Sequence, residues 1–244
     1  MSQKYIGGFI TKSPVAPTSS AASGMWTLDQ AMQLKKAGNW PPLAIGAAYG
    51  GGYFAGQIST AGNGVADYNL VVGPVASAQA GLKWKNANTA TTGADSAVNG
   101  VQNTADMVAD GNATTYPSAH FCNDLVTGGF SDWYMPARNE LQILYYFLKP
   151  TTTANNTDWG SNANAVSPQP ISTNHTSGNP AQTSVAIFQS GGAEAFINES
   201  YWTSTEASNT QARTQQFDYG SSSTNNKNYT YSSFRVRAIR RVAI

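Results

Sequence analysis

The sequence contains one cysteine and two histidines among its 244 residues, namely Cys122, His120 and His175. A single cysteine cannot form an intrachain disulfide, and together with two histidines it cannot complete a zinc site of the usual cysteine and histidine type. His120 and Cys122 are two residues apart, so on a helix they point to different faces. We therefore expect no metal ion and no cofactor, and we expect Cys122 to be a packing residue.

Charged residues are also scarce, because they make up 11% of the chain against roughly 25% in an average soluble protein. The net charge of +1 creates no overall field that would attract phosphates, so we expect no nucleic-acid partner. No segment approaches the run of about 20 apolar residues that crosses a bilayer, and the first residues lack the apolar core of a signal peptide. We therefore expect no membrane partner and a product made in the cytoplasm.

The chain nevertheless has enough apolar material to fold. Hydrophobic residues make up 41% of it, including six Trp, twelve Tyr and nine Phe. A chain of this length can bury a substantial core, to which aromatic side chains contribute most area per residue. Because Gly, Ser, Thr, Asn and Ala stand where other proteins have charges, we expect a polar but largely uncharged surface.

The first 44 residues differ in character from the rest. Residues 1–24 contain Pro, Ser and Gly without an apolar period, which predicts an extended arm. Thr27 and Gln30 have capping-box spacing, and Gly38 followed by two prolines ends the pattern, which predicts a helix over about 28–37. So short a helix is marginal alone, so it docks either on its own domain or on another subunit. We predict an arm with a short helix over 1–44 and one domain over 45–244.

Within residues 45–244, helix patterns precede strand patterns. Apolar spacing and end signals predict helices over 101–108, 118–125, 137–148 and about 180–188. Strands are predicted over 52–58, 68–72, 201–206, 213–219 and 234–242. Residues 150–179, which are rich in Asn, predict a long surface loop. Helices followed by strands, without an internal repeat, predict an α+β fold.

The sequence contains no GxxxxGK, HExxH, GxSxG or EF-hand motif, so it has none of the common spacings for nucleotide binding, hydrolysis or calcium binding. The nearest carboxylate pair, Asp132 and Glu140, flanks a predicted helix start, where carboxylates are stabilised for structural reasons. The glycines within 47–56 are better explained by a tight strand turn than by a phosphate loop. We therefore expect no enzymatic activity.

The last strand carries four of the fourteen basic residues, Arg235, Arg237, Arg240 and Arg241. This stripe fits either an anion-binding surface or a strand face that is solvated or salt-bridged. The second interpretation is favoured, with Glu206 or Asp218 on neighbouring strands as partners.

Uncharged polar and aromatic side chains dominate the segment 208–233. Antibody paratopes favour the same residue types, because these combine contact area with adaptable hydrogen bonds. The segment therefore fits recognition of a glycan or a protein, although ordinary hairpin loops would have the same composition in this chain. In the first interpretation, aromatic rings stack on sugar faces and amides bind hydroxyls. The candidate ligand contacts are Asn209, Arg213, Gln215, Tyr219, Tyr229 and Tyr231.

Three motifs occur in order along the domain: GGFSDWYMPARNEL at 128–141, YWTSTE at 201–206 and FRVRAIRR at 234–241. They resemble the Lcl C-terminal-domain family, which occurs in bacterial surface adhesins and phage tail proteins. The resemblance covers roughly 45–242 and implies a C-type-lectin-like fold, with Trp133 and Tyr134 facing inward and Pro136 and Glu140 at a helix start. The chain lacks the triplets of calcium-dependent sugar lectins and the paired cysteines of formylglycine-generating enzymes, which argues against both activities.

The arm resembles a second pattern. MWTL at 25–28 with GNWP at 38–41 is similar to a short module at the N-termini of many phage virion proteins. This resemblance implies a virion location, with Trp26, Leu28 and Trp40 contacting other virion proteins.

Together, the two resemblances predict a phage virion protein, a tail-fibre or tail-tip adhesin that binds a host-surface glycan or protein. The alternative is a capsid-decorating, collar or baseplate component that makes only protein contacts. A glycan depolymerase ranks last. Viral fibres are often trimeric, and association would cover the marginal arm, so we expect a homo-oligomer, as a trimer.

Overall fold

The computed structural model describes Met32, residues 43–229 and residues 234–244. The chain divides into two units, Met1–Ala47 and Ala48–Ile244, and the description below concerns the second. The extended arm and the helix predicted over about 28–37 lie outside the described residues, except for Met32, which is helical and exposed.

The second unit contains helices and strands, as the α+β prediction requires. Its helices are α1 (Val75–Ala78), α2 (Gly100–Asp110), α3 (Pro117–Asn123) and α4 (Arg138–Leu148), with a 3-10 turn at Ala186–Phe188. Its strands are β1 (Ala48–Tyr49), β2 (Gly52–Ile58), β3 (Tyr68–Val72), β4 (Gln79–Ala80), β5 (Ser200–Glu206), β6 (Gln211–Gln216), β7 (Ser222–Asn226), β8 (Phe234–Arg237) and β9 (Ile239–Ala243).

The strands form two sheets, with the orders β1-β2-β3-β9 and β4-β8-β5-β6-β7. Strands β5 and β8 pair in parallel, with Tyr201 opposite Arg235, and the other pairs are antiparallel. Strand β9 pairs with β3, where Arg240 lies opposite Val71. Only Ala238 separates β8 from β9. The single strand predicted over 234–242 is therefore two strands, one in each sheet.

Two buried tryptophans join the first half of the unit to strand β5. The indole of Trp84 donates a hydrogen bond to the main-chain oxygen of Thr203 at 2.8 Å, and the indole of Trp202 donates to that of Leu82 at 3.0 Å. Both indoles are thus buried with their N–H groups satisfied, which is the condition for placing tryptophan in a core.

Cys122 packs in the same core and is a free thiol, as its position on the apolar face of the helix predicts. Complete burial raises the pKa of this thiol well above its usual range. Trp133 and Tyr134 are also buried, which confirms their inward orientation.

The helix predicted over about 180–188 is wrong. Only Ala186–Phe188 forms a turn, of the 3-10 type. The amide of Thr183 donates to the carbonyl of Lys149 at 2.9 Å, and the side chain of Gln189 donates to the carbonyl of Thr183 at 2.9 Å. Because the amide of Thr183 is bonded to Lys149 and its carbonyl to the Gln189 side chain, neither group takes part in a helical ladder.

The segment 150–179 lacks helices and strands, but it does not lie wholly at the surface as predicted. Several of its asparagines are buried. The Asn155 amide donates to the carbonyls of Thr176 and Pro180 at 3.0 and 2.9 Å, and the Asn164 amide donates to that of Ser59 at 2.7 Å. These side chains supply the hydrogen bonds that secondary structure would otherwise supply.

Candidate functional site

The predicted ligand residues are spread along the hairpin of β6 and β7. Asn209 is exposed in the turn before β6. Its carbonyl accepts a hydrogen bond from the side chain of Lys227 at 3.0 Å, and Lys227 is two residues before Tyr229 in the chain. Asn209 and Tyr229 therefore lie at one end of the hairpin. Tyr219 follows β6 at the other end, about 20 Å away by the rise of a six-residue strand. The two tyrosines are 38% and 39% exposed, while Tyr231 lies outside the described residues.

Two of the predicted residues lie between these ends, on strand β6. Arg213 is half-buried. Gln215 is only 1% exposed, and its amide donates to the main-chain oxygen of Gln216 at 3.1 Å. Gln215 therefore does not lie on the surface where the prediction put it, because this face of β6 is covered by α4.

The four arginines of the C-terminal strands are held in ion pairs. The pairs, with the shortest nitrogen–oxygen distances, are Arg235–Glu199 at 2.7 Å, Arg237–Glu194 at 2.7 Å, Arg240–Asp132 at 2.7 Å and Arg241–Glu140 at 2.8 Å. The predicted salt-bridged strand face is therefore confirmed. Arg237 is completely buried, and burial lowers its pKa to about 10. The predicted partners are wrong, since Glu206 pairs with Lys227.

The pairs of Arg240 and Arg241 explain Asp132 and Glu140. Tyr134 exchanges main-chain hydrogen bonds with Ile239 at 2.8 and 3.0 Å, which brings the chain around both carboxylates beside the two arginines. Each carboxylate is thus a partner of a different arginine, and the structure accounts for both without a catalytic role.

A different pair of arginines has no such partner. Arg138 begins α4, and its amide donates to Thr205 Oγ1 at 3.0 Å. Arg213 lies beside the same part of β5, because Thr203 Oγ1 donates to its carbonyl at 3.1 Å. Neither guanidinium has a carboxylate within 4.0 Å in the described part of the chain, which contains every acidic residue except Asp29.

Arg213 lies close enough to Arg138 for its positive charge to act on Arg138. Partial burial lowers the pKa of Arg138, and the positive charge of Arg213 lowers it further. Arg138 Nε donates a hydrogen bond to the neutral amide oxygen of Asn139, at 3.2 Å. The pair thus concentrates two positive charges that the described residues leave without a counter-charge.

Two buried glutamines, one on α4 and one on β6, lie next to the two arginines on the facing sides of these elements. Gln142 is four residues after Arg138, and Gln215 is two residues after Arg213, so each shares a face with its arginine. Both are buried, and the side-chain oxygen of each has no hydrogen-bond partner among the described residues. A buried polar atom without a partner costs about 1–3 kcal/mol, so this face has capacity for additional hydrogen-bond donors. We call Arg138, Gln142, Arg213 and Gln215 the α4–β6 polar face.

Sequence reasoning selected Arg213 and Gln215 but missed Arg138 and Gln142. One signal could have identified Arg138. It lies in the first turn of the helix predicted over 137–148, where the helix dipole disfavours a positive charge, so its presence there calls for an explanation other than helix stability.

Other site types find little support in residues 43–229 and 234–244. These residues contain no group of three His, Cys, Asp or Glu side chains that could hold a metal ion. No helix among them is long and apolar enough to cross a membrane. A surface groove of about 450 Å³ lies beside α3, lined by His120, Phe121 and Leu125 among others, and it contains none of the predicted ligand residues.

The model of the Lcl C-terminal domain matches residues 73–240. This range contains the first two motifs, the third motif except Arg241, the two buried tryptophans and the α4–β6 polar face. Comparison with curated proteins gave no match. The family match covers more than half of the sequence, and the chain therefore belongs to the Lcl C-terminal domain family.

Proposed function

We propose that this chain is a bacteriophage virion protein, a tail-fibre or tail-tip adhesin whose second unit has a C-type-lectin-like fold and binds a host-surface glycan or protein. Residues 1–44 attach it to other virion proteins through Trp26, Leu28 and Trp40, which lie outside the described residues. The protein acts as a homotrimer and performs no catalysis.

One observation carries the binding role: the unneutralised pair of Arg138 and Arg213. Arginines in this fold otherwise pair with carboxylates, as the four C-terminal arginines do. Keeping two like charges together without a counter-charge costs free energy, and binding of an external ligand is a reason to retain them. Functional sites are where proteins depart from the arrangement that favours stability.

The surroundings of the pair also suit recognition. Asn209 and Tyr229 at one end of the hairpin, and Tyr219 at the other, are exposed. Amides and tyrosines provide hydrogen bonds and ring contacts at low entropic cost. The chain's scarcity of charge leaves this surface suited to neutral parts of a ligand.

The test is electron microscopy of the particle that carries the protein. The proposal expects a few copies at the distal end of the tail, with the β6–β7 hairpin pointing outward. Copies distributed over the capsid, or a hairpin buried against neighbouring virion proteins, would identify a decorating, collar or baseplate component instead.

Adsorption provides a second test. The purified chain is expected to compete with phage for host cells, and replacing Asn209 and Tyr229 with alanine is expected to weaken the competition. Gln102→Ala, at an exposed position on α2, is the control and leaves the competition unchanged. A chain that does not compete, in its oligomeric form, contradicts the adhesin role.

A further inference from the structure

We propose that Arg138 and Arg213 together bind one carboxylate of an acidic sugar, a hexuronate-type residue, at the outer end of the α4–β6 polar face. This inference rests on the adhesin proposal for its choice of a glycan, and it names the chemical class that the site recognises.

Helix α4 lies along strand β6, and contacts at both ends show how the two are aligned. At the inner end, the Tyr145 and Phe217 rings are in contact, with centroids 5.6 Å apart. At the outer end, Arg138 and Arg213 are both adjacent to residues 203–205 of β5. The helix therefore runs along the strand in the same direction. Seven helical residues rise about 10 Å and four strand residues about 13 Å, so Gln142 and Gln215 fall at matching positions midway.

The positive charges of Arg138 and Arg213 indicate that the ligand is an anion. Two guanidiniums with no carboxylate in reach fit one anion between them, because a guanidinium binds a carboxylate with two parallel N–H···O bonds. The C-terminal arginines do not extend this site into a large cationic surface, since carboxylates of the chain neutralise them. The site therefore suits a single carboxylate and not a polyanion.

The groups beside the two arginines indicate what the ligand carries besides its carboxylate. A neutral hydrogen-bonding group lies beside the arginines, because the half-buried Thr224 is opposite Arg213 in the β6–β7 pairing. Farther in, the oxygens of Gln142 and Gln215 lack donors, but both side chains are buried and a ligand at the surface does not contact them directly. Sugar hydroxyls match a neutral group such as Thr224, directly or through water. A sugar acid combines a carboxylate with several hydroxyls, whereas an acidic peptide side chain carries the carboxylate alone.

The experiment titrates the full-length chain with methyl β-D-glucuronoside and, in parallel, with methyl β-D-glucoside, which lacks the carboxylate. Binding is followed by NMR. The glucuronoside is expected to bind with millimolar affinity that weakens as salt is added, and the glucoside at least tenfold more weakly. Arg138→Gln and Arg213→Gln are each expected to weaken glucuronoside binding about tenfold or more. Arg235→Gln, which removes an arginine paired with Glu199, is the matched control and keeps the affinity.

Equal binding of the two glycosides, or glucuronoside binding unaffected by Arg213→Gln, overturns the proposal. Two further probes separate other anions. Binding of a sulfated polysaccharide without glucuronoside binding indicates a polyanion surface, and binding of a Glu-rich peptide without glucuronoside binding indicates a protein ligand. Both results overturn it. If Arg213→Gln does not fold by circular dichroism, Arg213→Lys replaces it and must also weaken binding, because lysine lacks the bidentate geometry.

The two proposals fail separately. Glucuronoside binding by a protein located on the capsid would keep the carboxylate site and reject the adhesin role. A tail-tip protein that competes for host cells but does not bind glucuronoside would keep the adhesin role and reject this site.

Discussion

Replacing Glu140 with glutamine is expected to destabilise the protein strongly. The carboxylate is completely buried and accepts four hydrogen bonds. Its Oε2 receives the amides of Ala137 and Gly100 at 2.7 and 3.1 Å, and its Oε1 receives the Tyr134 hydroxyl and Arg241 Nε at 2.5 and 2.8 Å. These contacts join the start of α4 to α2 and β9. Glutamine would place an NH₂ group against either two amide donors or the hydroxyl and guanidinium donors.

The size of the expected loss in stability follows from removing the negative charge and a hydrogen-bond acceptor of the Glu140 side chain. Removing one partner of a buried ion pair costs about 3–5 kcal/mol, and unpaired amides cost about 1–3 kcal/mol each, with overlap between these figures. We therefore expect the free energy of unfolding to fall by about 4 kcal/mol, measured by urea denaturation. Glu199→Gln is the control, because its ion pair with Arg235 is partly exposed and such pairs contribute about 1 kcal/mol or less. Equal losses for the two variants would refute the reasoning.

Three further predictions concern buried positions. Burial, and secondarily the charge of Lys149, lowers the pKa of His175 to about 4. Below pH 6.5 the unfolded chain therefore binds more protons than the folded chain. The free energy of unfolding should consequently fall by about 1–2 kcal/mol from pH 7 to pH 5. Urea denaturation at both pH values should show a smaller fall in His175→Gln; an undiminished fall contradicts this assignment. Gly160→Ala should cost about 2 kcal/mol or more, because φ is +117° and the new Cβ would lie 2.2 Å from the His175 ring. Gly178→Ala, with open space around it, is its control in thermal unfolding, and similar melting temperatures would be evidence against the clash. Cys122 should react with a thiol reagent only after unfolding, as it is buried with a raised pKa; rapid reaction of the native protein would show that the site opens.

The elements that could be predicted from the sequence are those whose signals are local. Strands β2 and β3 match the predicted bounds, and α2, α3 and α4 lie within two residues of theirs. Their apolar spacing and end signals act over one or two helical turns, so no distant contact is needed to form them. The motif around Trp133 and Tyr134 likewise indicated burial and a helix start correctly.

The positions of the C-terminal arginines and of the β6 side chains depend on contacts between segments that are distant in sequence. The carboxylates that pair with Arg237, Arg240 and Arg241 are 43, 108 and 101 residues away in the chain. These ion pairs form because β8 and β9 belong to different sheets. Alternation along β6 placed Arg213 and Gln215 on one face, but the covering of that face depends on how α4 docks. The local pattern at 180–188 failed for the same reason, because hydrogen bonds to Lys149 replaced the helical ones. Periodicity specifies which residues share a face, whereas the partner of that face is set by packing between segments distant in sequence.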